Sequence, residues 1–120
     1  MATVELTSAN FDEKTQAEGI ILVDFWASWC GPCVRFAPTY ERVSEKYPDI
    51  TFGKVDTEAH PDLSARFHIS SIPTIMAIRD GVMVFSRAGA LPEAALESLI
   101  TQVRGLDMGA VRERIAAKQD

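Results

Sequence analysis

The stretch Ile20-Ile21-Leu22-Val23-Asp24-Phe25-Trp26, which runs on through Ala27-Ser28-Trp29 into Cys30-Gly31-Pro32-Cys33, decides the fold. Its first part is almost continuously apolar and rich in β-branched side chains, the pattern of a strand covered on both faces. A long helix is expected after it, from about Cys33 to Tyr47, with Ala37, Tyr40, Val43 and Tyr47 recurring as one apolar stripe. Pro38 falls inside this helix and is expected to kink it, and Pro48 stands just past its end.

Working outward, Thr3 to Leu6 alternates and reads as a short strand. Asn10 with Glu13 has the spacing of a capping box, so a first helix is expected to start near Asn10 and to end at Gly19. Downstream, Thr51 to Asp56 reads as a second central strand, and Pro61 to Phe67 as a short helix with Leu63 and Phe67 on one side. Thr74 to Arg79 and Val82 to Arg87 flank Asp80-Gly81, a strong hairpin signal. Gly89 breaks the chain. Pro92 then opens a helix to about Val103, with a stripe of Ala95, Leu96, Leu99, Ile100 and Val103. The order β-α-β-α-β-α-β-β-α joins parallel strands through helical crossovers and adds an antiparallel pair at the hairpin. This is an α/β architecture: a mixed five-stranded sheet with helices on both faces.

The length of 120 residues suits one domain with one core, and 47% hydrophobic residues excludes a disordered chain. The net charge is −5 and the 12 basic residues form no block, which argues against a nucleic acid partner. Met1 to Leu6 lacks the basic start and long apolar stretch of a secretory leader. The most apolar run, Gly19 to Ala27, is interrupted by Asp24 and is too short to span a bilayer. A cytoplasmic protein with no membrane partner is expected.

Both cysteines of the chain lie in Cys30-Gly31-Pro32-Cys33. A bridge closing so small a loop stabilises a fold little, so stapling is not its purpose. In a reducing compartment such a pair is catalytic or binds metal. Zinc is disfavoured: a structural site takes four ligands, and only His60 and His68 could complete one, neither at a knuckle spacing. A helix start beside Cys30 supplies unpaired N–H groups and the positive end of the helix dipole, which stabilise a thiolate. Helical spacing brings Cys33 beside it, so one sulfur can attack and the other resolve. Pro32 stiffens the helix start without offering an N–H. Neither residue between the cysteines is charged, and Arg35 is expected to point well away; the thiolate then depends on helix-end groups. Heavier thiolate stabilisation marks strong oxidants, so the reading tilts toward a reductant. Asp24 is a carboxylate within an apolar strand, where desolvation raises its pKa.

The segment Phe25-Trp26-Ala27-Ser28-Trp29-Cys30-Gly31-Pro32-Cys33 resembles the active-site signature of the thioredoxin family. The likeness continues through Ala37-Pro38, Lys54-Val55-Asp56, Ile72-Pro73-Thr74, Asp80-Gly81 and Gly89-Ala90, over about residues 3 to 104. It implies a thioredoxin fold, its sheet flanked by four helices, in a domain at 1–104. Residues 105–120 form an extension past the family's usual end. There Asp107 can cap a short extra helix whose Met108, Val111 and Ile115 share a face, with Arg112, Glu113, Arg114 and Lys118 exposed.

The resemblance also implies roles. Cys30 is the nucleophile and Cys33 the resolving thiol, with Gly31 and Pro32 between them. Asp24 lies behind Cys33 and takes its proton, and Lys54 on the adjacent strand pairs with Asp24. Pro73 resembles a cis-proline, so that Ile72-Pro73 faces Cys30 and presents the Ile72 backbone to an extended substrate. Together with Trp29, Gly31 and Pro32, these two residues and Ala88, Gly89 and Ala90 form a shallow apolar patch suited to weak, broad recognition of many proteins. Trp26 is expected in core packing. Val34 and Ser71 depart from the family pattern, the first removing a frequent positive charge, the second a frequent glycine. The implied function is a general protein-disulfide reductase, monomeric, with no bound cofactor beyond its redox-active disulfide. Its electrons come from NADPH through a flavin (FAD)-containing thioredoxin reductase, and its partners are that reductase and many disulfide-containing proteins. The rivals are a disulfide oxidase or isomerase on the same fold, and a non-catalytic subunit that binds through the patch around Trp29.

Overall fold

The structure, a computed structural model, describes residues 2–119. In chain order its elements are β1 (Thr3–Glu5), α1 (Phe11–Thr15), β2 (Ile20–Trp26), α2 (Gly31–Lys46), β3 (Thr51–Asp56), α3 (Pro61–Arg66), β4 (Thr74–Arg79), β5 (Val82–Ala88), α4 (Glu93–Arg104) and α5 (Met108–Gln119). The strands form one sheet in the order β1-β3-β2-β4-β5. β1 and β2 both run parallel to β3, whereas β4 is antiparallel to β2 and β5 to β4. This is the mixed sheet of the thioredoxin fold.

Alternation along β2 divides the core. Leu22 faces one way, with Phe52, Ile75, Ala77 and the α2 and α4 side chains Phe36, Tyr40, Val43, Leu96, Leu99, Ile100 and Val103. Ile21, Val23 and Phe25 face the other way, with Leu6, Phe11, Val55, Leu63, Met76 and Ile78 under α1 and α3. Each such side chain, withdrawn from water, contributes about 1.5–3 kcal/mol before entropy is counted. Gly53 makes room on the second face: a Cβ there would sit 2.4 Å from Leu6 Cδ1. That absent side chain lets the segment after β1 close over the sheet.

Several expectations need correction. The capping box does not form: Asn10 stands at the N-cap of α1 without a side-chain cap, and its Oδ1 instead accepts from Thr7 N at 2.7 Å. α1 ends at Thr15 rather than Gly19; Gly19, at φ 102°, turns the chain into β2. α2 begins at Gly31, earlier than Cys33, because Cys30 itself serves as the N-cap. Its buried face is Cys33, Phe36, Tyr40, Val43 and Ser44, whereas Ala37 and Tyr47 lie at the margin. The helix runs through Pro38 to Lys46. The hairpin forms at Asp80 (φ 53°) and Gly81 (φ 80°), both left-handed as a type I′ turn requires. The β4–β5 ladder carries an irregularity at Ala77/Ile78.

Past α4, Asp107 Oδ1 accepts from Ala110 N at 3.2 Å and caps α5. Met108 is buried, Val111 half-buried and Ile115 exposed. The Arg79 guanidinium ties this end to the sheet. Its Nη1 lies 2.9, 3.2 and 2.8 Å from the carbonyl oxygens of Val103, Arg104 and Leu106, placing a cation at the negative end of α4.

Candidate active site

The site forms where β2 ends and α2 begins. Cys30 has extended backbone angles (φ −85°, ψ 111°), as an N-cap does, and its Sγ accepts from Cys33 N at 3.2 Å. The sulfur thus takes the place of a capping oxygen and occupies one of the orphan donors at the helix start. A thiolate gains from the same contact and from the helix dipole. The two cysteines, with Cα atoms 5.2 Å apart, are joined as a disulfide, and both are buried. Cys30 Sγ also lies 3.6 Å from the Ile72 carbonyl oxygen. Ala27, Trp26 and Ile72 pack around the pair.

Asp24 is fully buried, and neither carboxylate oxygen has a hydrogen-bond partner. Between Val23 and Phe25 in the alternation, it points to the face that α2 covers. Burial pushes its pKa from 3.8 up to about 7, and the charge of Lys54 opposes this only in part. Lys54 is opposite Asp24 in the β2–β3 register. The expected direct pair is not made: no Asp24–Lys54 ion pair exists among the described residues, and Lys54 Nζ lies 4.8 Å from the centroid of the Trp26 ring. The ammonium lies instead over the π face of that ring. Tyr40, whose phenol burial and then the Asp24 charge push well up, donates to Gly53 O at 2.8 Å on the same face.

The rim comes from three loops. The Ile72-Pro73 peptide is cis. Pro73 O accepts from Gly89 N at 2.8 Å, and the Thr74 hydroxyl donates to Ser71 O at 2.6 Å. These bonds hold the Ile72 loop beside Cys30 on one side and Gly89 on the other. Gly89 adopts φ 108°, and space is open where its Cβ would be. Gly31, Pro32, Ala88, Gly89 and Ala90 are exposed, Ile72 is half-buried and Pro73 buried. Trp29 is 69% exposed, yet its indole Nε1 donates to Glu58 Oε1 at 2.5 Å.

Glu58 escaped the sequence reading, because nothing local marks a residue twenty-nine positions away as the anchor of Trp29. Arg35 Nη1 lies 3.2 Å from the place a Gly31 Cβ would occupy, so the guanidinium folds back over the residue after Cys30. Helical side chains lean toward the N-terminus and cover the position four residues earlier, and Gly31 leaves that seat vacant. Among the described residues, no group of His, Cys, Asp and Glu is placed to hold a metal ion, and no helix is long and apolar enough to cross a membrane.

A disulfide-forming cysteine pair at the head of a helix, backed by a buried carboxylate and facing a cis-proline loop on this sheet, defines a thiol–disulfide oxidoreductase. The Thioredoxin family profile matches residues 2–102. A Streptomyces coelicolor protein with the provisional name thioredoxin 2 is 55% identical over 118 residues, which covers 98% of this chain and 88% of that one. The thioredoxins of Alicyclobacillus acidocaldarius and Bacillus subtilis are 39% and 35% identical over 103 residues, 85% of this chain and 98% of each relative. The chain belongs to the thioredoxin family, and its activity is that of a protein-disulfide oxidoreductase working by dithiol–disulfide exchange.

Proposed function

We propose that the chain works as a general reductase of protein disulfides, with Cys30 as nucleophile and Cys33 as resolving thiol. The observation that supports this order is the contact between Cys33 N and Cys30 Sγ at 3.2 Å: the helix start favours negative charge on sulfur 30. The Cys30 thiolate attacks one sulfur of a substrate disulfide. That S–S bond breaks, a mixed disulfide forms, and the departing substrate sulfur takes a proton. Asp24 receives the proton of Cys33, whose thiolate then attacks Cys30 Sγ. The mixed disulfide breaks, and the second substrate sulfur leaves and takes up a proton as Asp24 gives the one it holds back to solvent. The substrate has gained two electrons and two protons, and the chain is left with its disulfide. A carboxylate with a pKa of about 7 is well matched to accept a proton near neutrality. Lys54 influences this step through its charge, at a distance.

Gly31, Pro32, Trp29, Ile72, Pro73, Ala88, Gly89 and Ala90 form the docking patch, in which the Ile72 backbone pairs with an extended substrate as an added strand. Its small and apolar surface suits many substrates. A thioredoxin reductase carrying FAD and fed by NADPH restores the dithiol, which makes the chain an electron carrier in cell redox homeostasis. Confinement of both cysteines to the motif fits a monomer in the reducing cytoplasm. Residues 1–104 are the working domain and 105–120 an appended element.

The test is insulin disulfide reduction with a thioredoxin reductase and NADPH, alongside a Cys33→Ser variant. The wild type is expected to turn over and the variant to accumulate a Cys30 mixed disulfide visible by mass spectrometry. Normal turnover by Cys33→Ser, or no reduction by the wild type, overturns the assignment.

A further inference from the structure

We propose that Arg35 is a specificity-determining residue, whose guanidinium receives an acidic side chain lying beside the disulfide of a protein substrate. The inference rests on the docking patch described above and adds a charge preference to it. Arg35 is exposed, and its guanidinium is seated on Gly31, next in the chain to Cys30. It lines a groove of about 320 Å³ with Pro32, Phe36, Ala90, Leu91 and Pro92. Pro32 and Ala90 belong to the patch as well, so the groove continues the surface on which a substrate backbone would lie.

The charges around it are unequal. Arg42 and Lys46, further along the same helix, are both engaged by Glu93, at 2.7 and 3.0 Å. Glu93 is therefore occupied, and Arg35 has no carboxylate within ion-pair distance among the described residues. On the opposite flank of the dithiol, Glu58 is held by Trp29. A substrate is thus met by a cation on the groove side and by a carboxylate on the Trp29 side. Neighbouring Val34 is exposed and apolar, so Arg35 supplies the charge at this helix start. A guanidinium here can bond an approaching carboxylate in two-pronged fashion.

The experiment compares kcat/KM for two disulfide peptides that differ only by Glu or Gln next to one half-cystine, with thioredoxin reductase and NADPH as the electron source. The wild type is expected to favour the Glu peptide about two- to fivefold at low ionic strength, the range an exposed ion pair supports, chiefly through KM. The ratio is expected to fall to about one in Arg35→Gln and below one in Arg35→Glu, while Arg35→Lys keeps part of the preference. In salt of about 1 M the wild-type preference is expected to vanish. A wild-type ratio of one, or a ratio unchanged by Arg35→Gln, overturns the proposal. A wild type that reduces neither peptide overturns it together with the reading on which it rests.

Discussion

Replacing Asp24 by Asn removes a titration that the fold imposes on a buried carboxylate. In the folded protein Asp24 ionises at about 7, against 3.8 for the exposed group, and the cause is burial. Between these values the folded state holds a proton that the unfolded chain has released. Stability therefore falls as pH rises through that window and levels off above about 7. The window is about three pH units wide, and at about 1.36 kcal/mol per pH unit the change is on the order of 4 kcal/mol. An asparagine in this place matches the volume of the neutral acid and has no such dependence. Urea unfolding of the oxidised protein, followed by far-UV circular dichroism from about pH 4 to pH 8, measures the difference between variant and wild type. That difference is expected to move in favour of Asp24→Asn by several kcal/mol across the range, because distant titrating groups contribute equally to both proteins and cancel. A constant difference would refute the reasoning: Asp24 would then ionise like an ordinary surface acid. The same variant is expected to lose reductase rate near neutrality, and full activity at every pH would make Asp24 a structural residue only.

Two further outcomes test the architecture. Gly53→Ala drives a methyl group into Leu6, whose Cδ1 lies 2.4 Å from that position, and is expected to lower stability by about 1–3 kcal/mol in denaturant titration. Arg79→Met removes the donor shared by three carbonyl oxygens at the end of α4. It is expected to cost about 1.5–3 kcal/mol and to speed amide exchange selectively in α4's last turn and in α5.

The strands were legible because they are short apolar runs bounded by turn residues. β2, β3 and β4 begin and end where the sequence places them. Helix ends were less so, since a cap depends on which side chain wins a donor. Asn10 had the right spacing from Glu13, but Thr7 N claimed its oxygen. Cys30 was not recognised as a cap because sulfur seldom takes that place. The stripe of α2 was phased on Ala37 and Tyr47 rather than Phe36, which a helix with few apolar residues permits. At the site, local pattern gave the dithiol and the buried acid, and family resemblance gave the loops that the fold brings to Cys30. The seating of Arg35 follows from two local facts together, the backward lean of helical side chains and the bare Cα of Gly31. Trp29–Glu58 and the position of Lys54 over Trp26 are long-range or cross-strand choices with no local signal.

The anchoring by Arg79 of the end of α4 and of the link into α5 has a practical consequence. Arg79 pairs with Ile20, at the start of β2, whereas the sulfurs follow the end of that strand. The link that leads into α5 is therefore moored at the pole of the sheet remote from the reactive bond. A tether, dye or immobilising support coupled along the exposed side of α5 would leave the catalytic pole free to meet bulky clients.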